Sequence, residues 1–236
     1  VFPPLEALAE FGAKVYIVSP SIDVQDKIFK KYQDVGLDIH GICADQSNES
    51  QVDSLLDSIK SEYKCPDILI NCGVSRPMKK YLKDNPENWM ESMRINSLGL
   101  FVTCRKFANE MSKNSGGSII NIASIYGIVA PDKLIYEGTD LNTEPDYPYT
   151  KGGMIMFSKY LASYYAENEV RVNCIAPGGL FNNQDKLFYN SYLKKVPMRR
   201  MAIESDMKGV AVFLASDASQ YITGVVIPVD GGFTII

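Results

Sequence analysis

Tyr147 and Lys151 stand four residues apart in the stretch YPYTKGG. On a helix that spacing puts both side chains on one face, close enough for the ammonium to act on the phenol. A free tyrosine, with a pKa near 10, is a poor proton donor and acceptor at neutral pH, and a neighbouring cation favours its phenolate. Such a pair can serve as a general acid and base. About one Tyr-x-x-x-Lys is expected by chance in a chain with 14 tyrosines, and this chain holds one, so the surrounding motifs decide between chemistry and a plain helix surface.

Ser124 follows the apolar run SIINIA, which reads as a strand. At the carboxyl edge of a parallel sheet, where ligands bind, its hydroxyl can donate to a substrate carbonyl and stabilise charge developing there. The alternative is a serine that closes a strand-to-loop turn. Asn96, in MRINSLGLF, lies inside a long helical pattern. Asparagine competes for backbone hydrogen bonds, so a buried one marks a kink or a bound water.

Short runs rich in Val, Ile and Ala alternate with amphipathic segments, the sequence form of β-α-β units around a parallel sheet. The expected strands are Ala13–Val18, Leu37–Cys43, Asp67–Cys72, Ser118–Ala123, Arg171–Ile175 and Val225–Val229. Their nearly continuous apolar character suits strands covered on both faces. Helices are expected at Leu5–Phe11, about Val24–Gln33, Gln51–Tyr63, Glu87–Met111, Tyr147–Asn168 and Ser205–Ala215, with Asn48 and Ser50 as N-caps and Gly12, Gly36 and Gly116 as stops. The fold class is therefore α/β, a doubly wound parallel sheet with helices on both faces, read as one domain over residues 1–236.

A dinucleotide-binding sheet opens with a strand, a glycine-rich turn and a helix, because glycines let the backbone approach the pyrophosphate. Here LEALAEFGAKVYIV reads as the helix and second strand of such a unit, and no glycine precedes it. The reading favours a first strand and phosphate loop lying outside the 236 residues, with Val1 and Phe2 a remnant, because a sheet without its central strand has a large hole in its core.

Composition narrows the function classes. A net charge of -4 gives no electrostatic footprint for nucleic acid or an anionic membrane, and no apolar stretch is long enough to span a bilayer. Five cysteines without a Cys-x-x-Cys pair argue against zinc, leave no metal site expected, and suit a reducing cytoplasm. His40, the only histidine, falls far from the other motifs and reads as structural.

Asp45, DILINCG, Asn96, Ser124, Tyr147, Lys151, RVNCIAPGG and YITGVVIPVDGG occur in the order and approximate spacing of the classical short-chain dehydrogenase/reductase family, which the whole chain resembles. The resemblance implies an NAD- or NADP-dependent oxidoreductase that moves a hydride between nicotinamide and a carbon bearing a hydroxyl or carbonyl. It implies Tyr147 as catalytic acid/base, Lys151 as the residue that lowers the tyrosine's pKa and binds the nicotinamide ribose, Ser124 as the group that orients the reacting oxygen, and Asn96 as the holder of a water linking Lys151 to solvent. It further implies that Pro177 and Gly178 border the nicotinamide, that Asp45 contacts adenine, and that Asn71 and Gly73 lie beside the adenosine ribose. Homo-oligomers, dimers or tetramers, are implied as well.

Four departures matter. The family's Asn-Asn-Ala-Gly appears as Asn71, Cys72, Gly73 and Val74, and Asn182 stands where a threonine often meets the cofactor. The second strand ends in Ser19 and Pro20, which supply neither the acid that would hold a ribose hydroxyl nor the arginine that would hold a phosphate, so NAD and NADP both stay open. The interval from Ser124 to Tyr147 is longer than usual by about ten residues and carries PDKLIYEGTDLNTEPD, expected either to line a pocket for a polar, hydroxylated small molecule such as a sugar or to be a solvated excursion. Phe181, Phe188, Tyr189 and Tyr192 either face that pocket or anchor a helix, and Lys194, Lys195, Arg199 and Arg200 read as a solvated basic face. A 3-oxoacyl thioester reductase and a non-catalytic dinucleotide-binding regulator are the competing functions. An extended-family sugar epimerase is disfavoured, because little sequence follows PVDGG for a substrate domain.

Overall fold

The computed structural model describes residues 3–21, 32, 35–63 and 65–236. Apart from Tyr32, the helix expected at about Val24–Gln33 lies outside the described residues, as do Val1 and Phe2. Among the described residues six strands form: β1 (Val15–Ser19), β2 (Ile39–Cys43), β3 (Ile68–Asn71), β4 (Gly117–Ile122), β5 (Val170–Pro177) and β6 (Val226–Val229). All neighbouring pairs are parallel, in one sheet of order β1-β2 and a second of order β3-β4-β5-β6. The first strand starts later than its apolar run because the Ala13 N–H is taken by Leu8 O at 3.0 Å, closing the preceding helix.

Helices α1 (Pro3–Glu10), α2 (Glu49–Glu62), α3 (Pro86–Met93), α4 (Gly99–Ser112), α5 (Asp146–Tyr165), α6 (Lys186–Lys195) and α7 (Lys208–Ala215) separate the strands. Asn48 caps α2 by accepting from Gln51 N at 3.2 Å, whereas Ser50 sits inside the helix and donates to Asn48 Oδ1. Gly116 adopts φ 76°, and a Cβ there would fall 2.4 Å from Glu169 O, so only glycine joins α4 to β4 at this approach.

The long helix expected at Glu87–Met111 is interrupted. Arg94–Leu98 forms a π-helical turn between α3 and α4, with Asn96 at its centre. That placement agrees with the kink reading of Asn96.

Two faces of the larger sheet are covered. Leu100, Cys104, Ala108 and Met111 of α4 and Met154 and Leu161 of α5 pack on Ile119 and Val172. On the other face, Ala211 and Leu214 of α7 meet Ile120 and Ile175. Adjacent residues 119 and 120 thus serve opposite layers, which explains why this strand is apolar throughout. The smaller sheet is held by α2 on one side and α1 on the other.

β1 and β3 do not pair. A cavity of about 930 Å³ lies between them, lined by Val15, Ile17 and Ser19 from one sheet and Ile68, Ile70 and Asn71 from the other. This is the hole expected of a doubly wound sheet without a strand at its centre.

Candidate active site

Ser124 follows β4 and begins the short 3-10 turn Ile125–Gly127, accepting from Tyr126 N at 3.1 Å. The turn packs tightly on α5: a Cβ at Gly127 would meet the Lys151 carbonyl at 2.8 Å. Lys151 is buried, and its Nζ donates to Ile122 O at 2.5 Å, two residues before Ser124. The same Nζ lies 5.8 Å from the centroid of the Tyr147 ring. The strand end and α5 therefore bring Ser124, Tyr147 and Lys151 into one site.

Burial pushes the Lys151 ammonium down to about 8, against the opposing influence of the nearby Cys72 and Cys174 thiols. The amine has three donors, and Ile122 O is the one hydrogen-bond acceptor it meets among the described residues. A buried ammonium with two donors to spare suits the paired hydroxyls of a ribose, so the residues present at this end fit a nicotinamide nucleotide. Gly178 extends the site from the end of β5. Its N–H donates to Val229 O at 3.0 Å, and a Cβ there would meet Asp230 Cα and the Tyr192 hydroxyl, both at 3.0 Å.

Other expected contacts point elsewhere. The Asn71 side chain turns into the core, donating to Asn121 Oδ1 at 2.8 Å and accepting from Thr103 Oγ1 at 3.0 Å. Asn121 in turn donates to Ser158 Oγ at 2.8 Å, so a polar chain ties β3, β4 and α5 together under the site. The Asn71 side chain thus serves packing, while the residue itself, at the end of β3, also borders the cavity. Asp45 accepts from Ser47 N and Oγ and from Arg94 at 2.9 Å. Burial raises its carboxyl, but these hydrogen bonds outweigh that effect and hold it below the ordinary range. These partners fix the carboxylate at the edge of the cavity, which Asp45 also lines. Gly73 faces Gln46, whose Oε1 would lie 2.7 Å from an added Cβ. Ser19 ends β1 at the cavity, Pro177 ends β5, and Asn182 is exposed.

Asn96 bridges rather than reaches outward. Its Oδ1 accepts from Ser75 N at 2.8 Å, and its Nδ2 donates to Ser75 O at 2.7 Å and Ser92 Oγ at 3.0 Å. With both amide protons used, the side chain pins the loop after β3, a partner that no sequence signal pointed to.

Beyond Ser75, Asp84 holds the same loop by accepting from Lys79 N and Lys80 N, and hydrogen bonds led by Asn88 bring its carboxyl down to about 2. Buried Glu144 accepts from Tyr81 N at 2.9 Å. Residue Arg76, between these anchors, lays its guanidinium over the Tyr147 ring with its carbon 4.5 Å from the centroid. No motif flagged Arg76, and an Arg-Pro pair at a strand-end turn is the one sequence signal that could have done so.

The long insertion is built into the protein. It forms a 3-10 turn at Lys133–Tyr136, with Ile135 buried among Phe188, Tyr192 and Met201. Hydroxyls of Tyr126, Tyr136 and Thr143 form a chain with links of 2.8 and 2.7 Å. Phe188 and Tyr192 anchor α6, while Phe181 is exposed and meets Tyr189 edge-on. Lys195 pairs with Asp132 and Arg200 with Asp206. His40 bonds Asp38 and stacks on Tyr16, away from the site.

A family model described as enoyl-(acyl carrier protein) reductase matches residues 5–234. A 3-oxoacyl-[acyl-carrier-protein] reductase of Aquifex aeolicus is 30% identical over 236 residues, 96% of this chain and 90% of that protein. Among solved structures, a gluconate 5-dehydrogenase from Burkholderia cenocepacia in complex with NADP and tartrate is 27% identical with a TM-score of 0.87, covering 99% of this chain and 90% of that one. A short chain dehydrogenase from Leptospira borgpetersenii with bound NAD+ is 34% identical with a TM-score of 0.77, covering 93% and 92%. The chain belongs to the short-chain dehydrogenase/reductase family and is an NAD(P)-dependent oxidoreductase acting on CH–OH groups.

Proposed function

We propose that Tyr147, Ser124 and Lys151 are the proton-transfer centre of a dehydrogenase acting on a polar, hydroxylated small molecule, a sugar or sugar derivative. The observation that carries this reading is the convergence of Ser124 from β4 with Lys151 from α5, tied through the bond from Lys151 to Ile122 O. The nicotinamide, when bound, accepts or supplies the hydride at its C4 carbon. Tyr147 takes the proton from the substrate hydroxyl in oxidation and returns it in reduction, while Ser124 donates to that oxygen and fixes the reacting carbon. Lys151 carries the positive charge that favours the phenolate, and its spare donors hold ribose hydroxyls. Tyr147 and the Pro177–Gly178 turn complete the nicotinamide end.

The polar substrate is supported by the Tyr126–Tyr136–Thr143 hydroxyl chain in the insertion beside Ser124, and by the hydroxy acids named in the Burkholderia structure, gluconate and tartrate. A 3-oxoacyl thioester as substrate is supported by the Aquifex relative. A turnover screen with NAD and NADP against sugars, sugar acids, polyols and 3-oxoacyl thioesters decides between them. Turnover of sugars or their acids and not thioesters is expected, and thioester reduction alone would overturn the sugar reading.

A homo-oligomer, a dimer or tetramer, belongs to the same proposal. Leu98 and Phe101 beside α4 and Tyr149, Met156, Tyr160 and Tyr164 along α5 expose a continuous apolar stripe of the kind that a second copy covers. A cytoplasmic setting is supported by five unbridged cysteines, and among the described residues no helix is long and apolar enough to cross a membrane.

A further inference from the structure

We propose that Arg76 is a specificity-determining residue that receives a carboxylate of the substrate, so that the molecule oxidised or reduced is a hydroxy or oxo acid. This rests on the assignment of Tyr147 as the proton-transfer residue. The chain has six arginines, and the other five all have hydrogen-bonding partners: Arg94, Arg105 and Arg200 meet carboxylates, while Arg171 and Arg199 meet backbone carbonyls. Arg76 is exposed, and among the described residues its guanidinium makes no hydrogen bond or ion pair. What it does make is a cation–π contact with the Tyr147 ring, 4.5 Å from carbon to centroid. That contact uses none of the guanidinium's N–H donors as a hydrogen bond, so they stay open to an anion near Tyr147.

The placement is preset. Asn96 grips both peptide groups of Ser75, and Pro77 confines the backbone of Arg76 to extended conformations. Little further ordering is needed before the fork meets an anion. A single planar guanidinium matches the two oxygens of one carboxylate. Lys79, the nearest additional cation in sequence, donates its ammonium to Arg76 O at 3.1 Å, which favours a monoanion over a phosphate that would draw on several cations. Because the cation lies against the ring whose hydroxyl exchanges the proton, the carboxylate sits within a few carbons of the reacting one.

The experiment compares gluconate with the neutral polyol glucitol and with glucitol 6-phosphate, in wild type, Arg76→Gln and Arg76→Lys. Steady-state turnover is measured over a range of pH, and equilibrium binding of each compound is measured by dialysis in the presence of the nicotinamide nucleotide. The wild type should favour the acid, and R76Q should lower the ratio of kcat/KM for acid to that for polyol about 10- to 100-fold, through KM, as expected for losing a charge-assisted pair; R76K should fall between. Dialysis should show the same loss of gluconate affinity, and this arm decides the inference even if no compound is turned over, an outcome that would instead count against the dehydrogenase reading. Three results would overturn the role of Arg76: no preference for the acid, a kcat loss equal for both compounds with a displaced pH profile, which would mean action on Tyr147 alone, or a preference for glucitol 6-phosphate over gluconate that disappears in R76Q.

Discussion

The two sheets differ in how completely they are built. In β3-β4-β5-β6, Ile119, Ile120, Val172 and Ile175 are fully enclosed, and a buried polar chain from Asn71 through Asn121 to Ser158 ties together β4 and α5, the elements next to the proposed proton-transfer residues. In β1-β2, Ile17 and Ser19 border the 930 Å³ cavity, and Val18 is exposed. Proton-transfer groups demand fixed geometry, because a misplaced donor loses much of its effect, and they stand on the sheet that is packed from both sides. Around the cavity, side chains are bonded to one another, as Asp45 is to Arg94.

The strongest way to break this contrast is Tyr147→Phe. It should lower kcat about 100- to 10,000-fold with melting temperature nearly unchanged, since the hydroxyl is lost from a site that remains packed; retention of most activity in a steady-state assay would remove the catalytic half from the comparison. Next in size is a pair of core truncations. Ile120→Ala should cost about 2 to 5 kcal/mol in urea unfolding, whereas Ile17→Ala should cost about 1 kcal/mol, because its side chain already borders open space. Equal costs would mean the two sheets are equally supported.

A smaller effect sharpens the comparison through pH. Native Lys151 titrates near 8, below the ordinary 10.5, so over that window the unfolded chain holds a proton that the native state has released. Unfolding free energy of the wild type therefore rises with pH between those values, by at most about 3 kcal/mol from this group. Lys151→Met lacks the titration, so its stability relative to wild type should be greatest below pH 8 and decline towards 10.5. Thermal melts across that range check the sign, and a difference independent of pH would show that Lys151 is not desolvated.

Much of this was readable in advance. All six strands appear within a few residues of their apolar runs, because strands covered on both faces write an unbroken signal. The four-residue spacing of Tyr147 and Lys151 translated directly into one helix face. What stayed hidden depends on partners distant in sequence. Asn71 marks a strand end, but only the fold shows Thr103 and Asn121 around its amide, and Asn96 announces a kink but not that Ser75 is its partner. Arg76 belongs to no motif, and only the fold brings it over a ring 71 residues away. The insertion's composition left a pocket wall and a solvated excursion both open, and it did not show that Ile135 and Tyr136 pack against α6, since a few apolar residues suffice to dock a polar segment.

The clasp between Asn96 and Ser75 has one more implication. Asn96 holds its neighbour entirely by peptide N–H and carbonyl, groups that every residue except proline carries, so the clasp is indifferent to which side chains stand at 75 and 76. A scaffold of this kind separates where a recognising group stands from what it is. With the roles proposed for Arg76 and Tyr147, exchange of one side chain there would re-specify the molecule received while the chemistry at Tyr147 kept its footing, a construction open to rapid divergence of substrates on an unchanging reaction.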